Sequence, residues 1–486
     1  MNKLIIFFLL VTAGCSSSQQ ESESEPARPN IVLIMVDDLG KEWVSAYGAE
    51  DISTPHIDAL AQSGVRFNHF YVMPQCTPTR LSILTGQYPF RHGWVNHWDV
   101  PRWGGKAHFD ERRNPSLGLE LKKAGYNTCI AGKWQIDDFR VEPDALTRNG
   151  FDAYCMWTGY ETGIPASAER YQEPYIFTKD GSKTYEGAFG PDVFTDYIIS
   201  FIQEQQEKPD PFFIYYPMVL THTPFVDTPD EEAEDKLGKH KAMVRYTDKL
   251  TGKIVQALEE AKLRNNTLII WMTDNGTSRA ITGSYQGRQL QGAKMRMVEH
   301  GMSVPCIMSW PNRLAAATTS DALIDITDFF PTFLDLAGIS PRKEWQVGDE
   351  MQTIDGHSFK EVVMNRAPAS NRSWIMSMGG GNHAQLSDKG VENKFRFRDR
   401  ALRNLRYKLY IDTQGKAEKF FDMQEDPGEG VNLMDSLNTA ERKENFEALL
   451  APIATFPTQD NDPRYIPNPA QSWDVEQSVE SQSWKQ

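Results

Sequence analysis

The stretch Asn30 to Asp38, NIVLIMVDD, is a short strand-like apolar run that ends in two carboxylates. Three later runs repeat the design: Asn127 to Gly132 ends in Lys133, Phe212 to Leu220 in Thr221-His222, and Leu268 to Thr273 in Asp274-Asn275. Helical patterns accompany them at Thr54 to Ser63, Asn114 to Lys123, Asp192 to Glu204 and Lys239 to Ala261. Near-continuous apolar strands separated by helices predict an α/β fold whose largely parallel sheet is covered on both faces. In such sheets ligands bind outside the carboxyl ends of the strands, where Asp37, Asp38, Lys133, His222, Asp274 and Asn275 fall. Four such endings predict one convergent site.

The residue types at those ends point to a chemistry. Asp37, Asp38, Asp274 and Asn275 offer hard oxygen ligands with no His or Cys among them, which suits calcium or magnesium rather than zinc. Cys76-Thr77-Pro78-Thr79-Arg80 places a cysteine at a helix start, two residues before a proline and four before an arginine. Free N–H groups and the helix dipole there stabilise negative charge on a reactive thiol or its oxidised product. Proline fits the first turn, and the arginine, one turn on, can reach back toward the cysteine.

That pentapeptide, followed by Leu84-Thr85-Gly86, resembles the signature of the formylglycine-dependent sulfatases of the alkaline phosphatase superfamily. The resemblance runs from about Asn30 to about residue 455. It implies an alkaline-phosphatase-like mixed sheet between helices with a smaller C-terminal antiparallel subdomain, and hydrolysis of sulfate esters. It also implies that a formylglycine-generating enzyme oxidises Cys76 to an aldehyde, whose hydrate attacks sulfur. Calcium would be held by Asp37, Asp38, Asp274 and Asn275 and would touch the modified Cys76. Arg80 would hold the diol, and Lys133 and Lys294 would neutralise the sulfate oxygens. Lys294 lies five residues before Glu299 in a stretch with the family's lysine-to-Glu-Gly spacing. His222 matches the family's sulfate-binding histidine and proton donor, a role an imidazole suits.

Two positions depart from the family pattern. Most sulfatases read Gly-Lys-Trp-His where this chain reads Gly132-Lys133-Trp134-Gln135, and glutamine cannot accept a proton. Gln135 is therefore expected to position the diol while another group takes the proton. His300 stands where the family usually has glycine. Substrate readers are sought in the aromatic and basic loop of Trp94, His97, Trp98, Arg102 and Trp103, which suits sugar stacking and anion binding, and then in Arg279 and Arg288. The arginines from Arg396 to Arg406 alternate like one face of a strand and read as structural or solvated.

The rest of the chain bounds this reading. Lys3, the apolar run Leu4 to Val11 and Thr12-Ala13-Gly14-Cys15 read as an export signal ending in a bacterial lipobox, with Cys15 lipidated. That assigns residues 1–14 to the signal, 15–28 to a lipidated acidic tether, 29–370 to the catalytic domain, 371–456 to the C-terminal subdomain and 457–486 to an extended tail. The expected location is the periplasmic or cell-surface side of the outer membrane, anchored by lipid. Within the catalytic domain, Asp321 to Gly338 reads as a helix ending at glycine. Beyond about residue 370 the pattern becomes short strands, then a helix near Thr439 to Leu450. Formal net charge is −15 over 486 residues, so the overall field excludes nucleic acid, and a sulfated partner needs a local cationic pocket. Of the five cysteines, Cys306 reads as a buried small hydrophobe, and no spacing favours a Cys129–Cys155 bridge. The partner expected is a sulfated oligosaccharide or polysaccharide, algal (ulvan, carrageenan or fucoidan) or a glycosaminoglycan. Rival readings are a phosphonate or phosphate ester hydrolase of the same superfamily and a non-catalytic glycan-binding lipoprotein.

Overall fold

The first apolar run is a strand, β1 (Asn30–Val36), and all seven of its residues are buried. The structure is a computed structural model that describes residues 28–95, 107–139, 142–159, 165–379, 384–387 and 390–465. Nine more strands join β1 in one sheet. They are β2 (Val65–Tyr71), β3 (Asn127–Lys133), β4 (Ala153–Trp157), β5 (Tyr175–Thr178), β6 (Gly181–Thr184), β7 (Phe212–Pro217), β8 (Thr267–Thr273), β9 (Cys306–Ser309) and β10 (Thr318–Asp325). Their order across the sheet is β10-β2-β9-β8-β1-β7-β3-β4-β5-β6. The middle five, β8 to β4, are mutually parallel, while β9 is antiparallel to both its neighbours and β5 and β6 finish one edge antiparallel.

Strand alternation divides β1 between two cores. Ile31, Leu33 and Met35 pack in one, with α2 (Cys76–Thr85), α3 (Leu117–Lys123) and α6 (Phe329–Leu336). Val32, Ile34 and Val36 pack in the other, under α1 (Pro55–Gln62), α4 (Gly190–Gln205) and α5 (Lys236–Glu260). Both faces are covered, which is why the central strands tolerate no polar alternation. The four expected helices fall where the apolar period placed them, within a few residues at each end.

Two expected boundaries are corrected. Asp321 to Gly338 is not one helix. Leu323 to Asp325 pair with His69 to Tyr71 of β2, and the helix starts only at Phe329, after the Asp325 side chain caps a tight turn through the Thr327 N–H. A buried edge strand and a helix carry similar apolar density, so composition alone merged them. The run Phe212 to Leu220 leaves the sheet at Pro217, and Met218 to Leu220 instead turn over β1, where the Leu220 carbonyl accepts the Asp37 N–H at 2.7 Å.

The smaller sheet is antiparallel and joins Ile375–Met378, Arg400–Arg403, Tyr407–Ile411 and Ala417–Asp422, with α7 (Ala440–Leu450) packed on it. Its arginines are not solvated as a group. Arg400 is fully buried on Asp460 at 2.7 Å, and Arg403 bonds Glu299 at 3.0 Å. Asp460 lies in the tail, which returns to the large domain: Asn461 N–H donates to Phe90 O, and Arg464–Tyr465 pairs with Ala107–His108. Cys129 and Cys155 sit on the neighbouring strands β3 and β4 as free, buried thiols, and Cys306 is fully buried. Among the described residues no helix is long and apolar enough to cross a membrane. The signal, Cys15 and the acidic tether as far as residue 27 lie outside the described residues.

Candidate active site

Sheet register brings the strand ends together. Val36 stands beside Thr273 in the β1–β8 pairing, so Asp37 and Asp274 emerge at one level, and Asp274 N–H donates to Val36 O at 3.0 Å. On the other side of β1, the Thr221 N–H donates to Asp37 O at 2.7 Å, drawing the His222 segment to the same edge. Lys133 is the last residue of β3. α2 then enters with Cys76 as its first residue, and every residue of this helix is buried. Its polar side chains survive burial because they are bonded: the Thr79 hydroxyl to Met73 O and Gln75 O, and the Thr85 hydroxyl to Leu81 O. Asp38, Gln135 and Met295, all in these loops, take left-handed backbone with φ of 63°, 59° and 68°. Conformations that ordinary residues avoid gather where side chains must be aimed.

The result is a compact charge cluster. Lys133 Nζ lies 2.7 Å from Asp37 Oδ2 and 3.5 Å from Cys76 Sγ. The Arg80 guanidinium reaches Asp274 Oδ2 at 2.7 Å and Asp37 Oδ2 at 3.5 Å. Lys294 Nζ sits on Asp38 at 2.6 Å, and Asn275 Nδ2 donates to Asp38 Oδ1 at 2.9 Å. His222 Nε2 faces Asp38 Oδ2 at 3.9 Å. Its Nδ1 lies 2.7 Å from Thr223 O and 3.0 Å from Arg170 Nη2. Three carboxylates, Asp37, Asp38 and Asp274, thus face three cations, Arg80, Lys133 and Lys294, nearly out of water.

Burial and pairing split the carboxylates. Burial pushes Asp37 up, but Lys133, His222, Arg80 and Lys294 outweigh it and hold that carboxyl well below its usual range. Asp38 is raised, by burial first, against the pull of Lys294. Asp274 is pushed up to about 7 by burial and by the Asp37 charge. Two carboxyls in want of positive charge, beside a third already ionised, is what a cation site looks like before its cation counts. The residues fit a divalent ion on a second ground. Among the described residues Asp37 Oδ1 and Asn275 Oδ1 are buried oxygens without a hydrogen-bond partner, and both belong to the expected ligand set. Asp37, Cys76 and Asp274 offer ligand atoms all within 4.8 Å of one another, as do Asp37, Asp38 and His222. Burial pulls the His222 imidazole down, and the Lys294 charge adds to it, so the ring is held well below its ordinary range.

Cys76, Arg80, Lys133, His222 and Lys294 therefore converge with Asp37, Asp38, Asp274 and Asn275. The proposed substrate readers do not converge in the same way. Trp94 is 1% exposed and packs in the main core, so it presents no face for a sugar. Arg279 and Arg288 are exposed, the first beyond Asn275 and the second in the hairpin Thr282–Tyr285 with Arg288–Gln291. His97, Trp98, Arg102 and Trp103 lie outside the described residues. Gln135 is 6% exposed, and its buried Oε1 has no hydrogen-bond partner among the described residues. His300 bonds the backbone of Gln291. The sequence reading missed the groups behind the site. Arg170 stacks over the Trp157 ring at 4.6 Å and meets His222, and the Tyr171 hydroxyl donates to Val219 O at 2.7 Å. No local motif marks either residue; only folding brings them beside His222.

Residues 29–339 match the family described as Sulfatase, and residues 293–454 match the one described as N-sulphoglucosamine sulphohydrolase, C-terminal. The chain is similar to the N-acetylgalactosamine-6-sulfatase of Canis lupus familiaris, 32% identical over 342 residues, covering 65% of this chain and 63% of that protein. It thus spans under two thirds of that relative's length. It is also similar to the Ulvan-active sulfatase of Formosa agariphila, 25% identical over 461 residues, covering 89% of this chain and 82% of that one. Among solved structures, Ps i-CgsB aligns with a TM-score of 0.71 at 23% identity, over 90% of this chain and 95% of that chain. That protein has also been solved in complex with k-i-k-neocarrahexaose.

Proposed function

The chain belongs to the sulfatase family, and on that premise we propose that it hydrolyses sulfate esters of a sulfated carbohydrate, with position 76 as nucleophile. One observation carries the reading. Cys76 opens a helix at the bottom of a cluster of three carboxylates and three cations, with Lys133 Nζ 3.5 Å from its Sγ. A phosphatase built on two zincs would need His ligands, and His222 is the only histidine in the described ligand groups.

Asp37, Asp38, Asp274 and Asn275 would hold a hard divalent cation given their oxygen donors, and the family resemblance favours calcium over magnesium. When bound, that ion supplies positive charge to polarise the sulfate. Position 76, as formylglycine hydrate, supplies the attacking hydroxyl, whose proton passes to the adjacent Asp274 carboxylate. The sulfate it takes up leaves when the second hydroxyl loses its proton and collapses to the aldehyde. Arg80 keeps Asp274 and Asp37 in place beside position 76. The six buried charges cancel among themselves, so a divalent ion leaves the pocket net positive, as an anionic ester requires. Lys133 and Lys294 then take the sulfate oxygens. His222 directs Nε2 into the site and donates to the departing alcohol. An ester anion between His222 and Lys294 offsets the charge that depresses the ring and favours its protonated form.

The substrate class is supported by two relatives, named N-acetylgalactosamine-6-sulfatase and Ulvan-active sulfatase. The Leu4–Val11 run and Cys15 support export as a lipoprotein, with a formylglycine-generating enzyme as the partner that reads Cys76 to Arg80. The test has two arms: the mass of the peptide containing Cys76, in protein from a host with that enzyme, and sulfate release from a panel of sulfated oligosaccharides. The expected outcome is an aldehyde mass and release that Cys76→Ala lowers by about 1,000-fold or more. An unmodified thiol with glycan binding but no release supports the binding-protein rival, and faster phosphonate than sulfate turnover supports the other.

A further inference from the structure

Thr277 is fully buried and has no part in the chemistry above, yet three loops of the site meet on it. Its hydroxyl accepts the Gly40 N–H at 2.8 Å and donates to the Glu42 carboxylate. Its carbonyl accepts the Lys294 N–H at 3.0 Å. Gly40 lies two residues after Asp38, and Thr277 two after Asn275, so one side chain ties both ligand loops and its backbone ties the lysine loop. Glu42 is 2% exposed, and among the described residues it has no ion-pair partner. Its donors are the Thr277 hydroxyl and its own backbone N–H. Glycine at position 40 makes this possible, since a Cβ there would lie 2.1 Å from the Glu42 carboxylate.

The ligand loops also touch through Asn275 Nδ2 on Asp38 and the Asp38 N–H on Asp274 Oδ1. Those bonds use carboxylate oxygens that a cation would claim. The Thr277 links use none, so they hold the loops at one spacing whether or not the ligands turn to an ion.

We propose that Thr277 and Glu42 are positioning residues that set the Asp37-Asp38 loop against Asp274-Asn275 and Lys294, and thereby the affinity for the cation. This rests on the cation reading under Proposed function. Groups that orient metal ligands from behind typically change affinity about 10- to 100-fold when removed. The experiment is calorimetric titration of calcium into metal-stripped protein, for wild type, Thr277→Val, Thr277→Ser, Glu42→Met and Glu42→Gln, with melting temperatures recorded alongside. Thr277→Val and Glu42→Met are expected to weaken calcium binding about tenfold or more, while Thr277→Ser and Glu42→Gln, which keep the donor or acceptor, stay within about threefold of wild type. If Thr277→Val does not fold, Glu42→Met decides. Calcium affinity within about twofold of wild type for the folded Val or Met variant overturns the proposal. A wild type that takes up no calcium overturns the cation reading itself, an outcome distinct from a variant that matches a binding wild type.

Discussion

Side chains of this site owe their aim to backbone that most residues avoid. Asp38 takes φ 63°, a conformation aspartate tolerates better than most, and there its carboxylate meets both Lys294 and Asn275. Gln135 takes φ 59° two residues beyond Lys133, and a Cβ added at Gly159 would lie 3.3 Å from its Cγ. Among the described residues no donor reaches its buried carboxamide oxygen, and an orphaned oxygen of this kind costs about 1–3 kcal/mol. We predict that Gln135→Ala lowers kcat about tenfold with little change in melting temperature, read by steady-state kinetics on a sulfated oligosaccharide. Unchanged kcat and KM would remove Gln135 from the reaction.

At the scale of elements, the loop from Lys294 to Glu299 is held by the small sheet. Lys408, fully buried on Tyr407–Ile411, donates to Met297 O and Glu429, and Glu429 accepts the Glu299 N–H at 2.8 Å. Glu299 itself takes the Tyr71 hydroxyl at 2.9 Å and Arg403 at 3.0 Å. Burial pushes this carboxyl up, but Arg403, Lys408 and Lys41 prevail and bring it down from 4.5 to about 2. The sign of the linkage follows. A carboxyl with a depressed folded pKa adds stability above its unfolded value, and that share is lost as pH falls from about 4.5 toward 2. Glu299→Gln should therefore melt below wild type at pH 7, by an amount on the order of 2 kcal/mol given the carboxylate's partial contact with water, with the gap closing as pH falls through that window. A gap that stays constant with pH would show that the ion pair carries no such stability.

On the scale of the whole molecule, a formal charge of −15 surrounds the cluster of cations that is proposed to take an anion. The body repels a polyanion at long range, while the buried cations act at contact distance and are screened less. Raising ionic strength from about 10 mM to about 150 mM shortens the screening length from about 30 Å to about 8 Å. The ratio of kcat/KM on a long sulfated polymer to that on a sulfated monosaccharide should then rise. A ratio that falls would mean that exposed cations outside the pocket guide the polymer.

What the sequence determined by itself was four of the ten strands, the adjacent β8, β1, β7 and β3, and the polar residues that follow them, because both depend on local patterns of two to ten residues. Ile31 to Val36 followed by Asp37-Asp38, and Cys76 to Arg80 at a helix start, were legible without coordinates for that reason. The helix within Asp321 to Gly338 was misjudged because a buried strand and a buried helix share one composition, and only pairing with β2 separates them. Trp94 looked like a sugar platform because its neighbours are aromatic and basic, whereas its burial is a property of the packed core. Tertiary structure alone decided which distant groups stand behind the site. Thr277 with Glu42, Arg170 with His222, and Arg403 with Glu299 are joined across dozens to hundreds of residues by single hydrogen bonds or ion pairs. Such contacts leave no periodicity in the chain, since they follow from where the strands end in space and from the need of each buried charge for a partner.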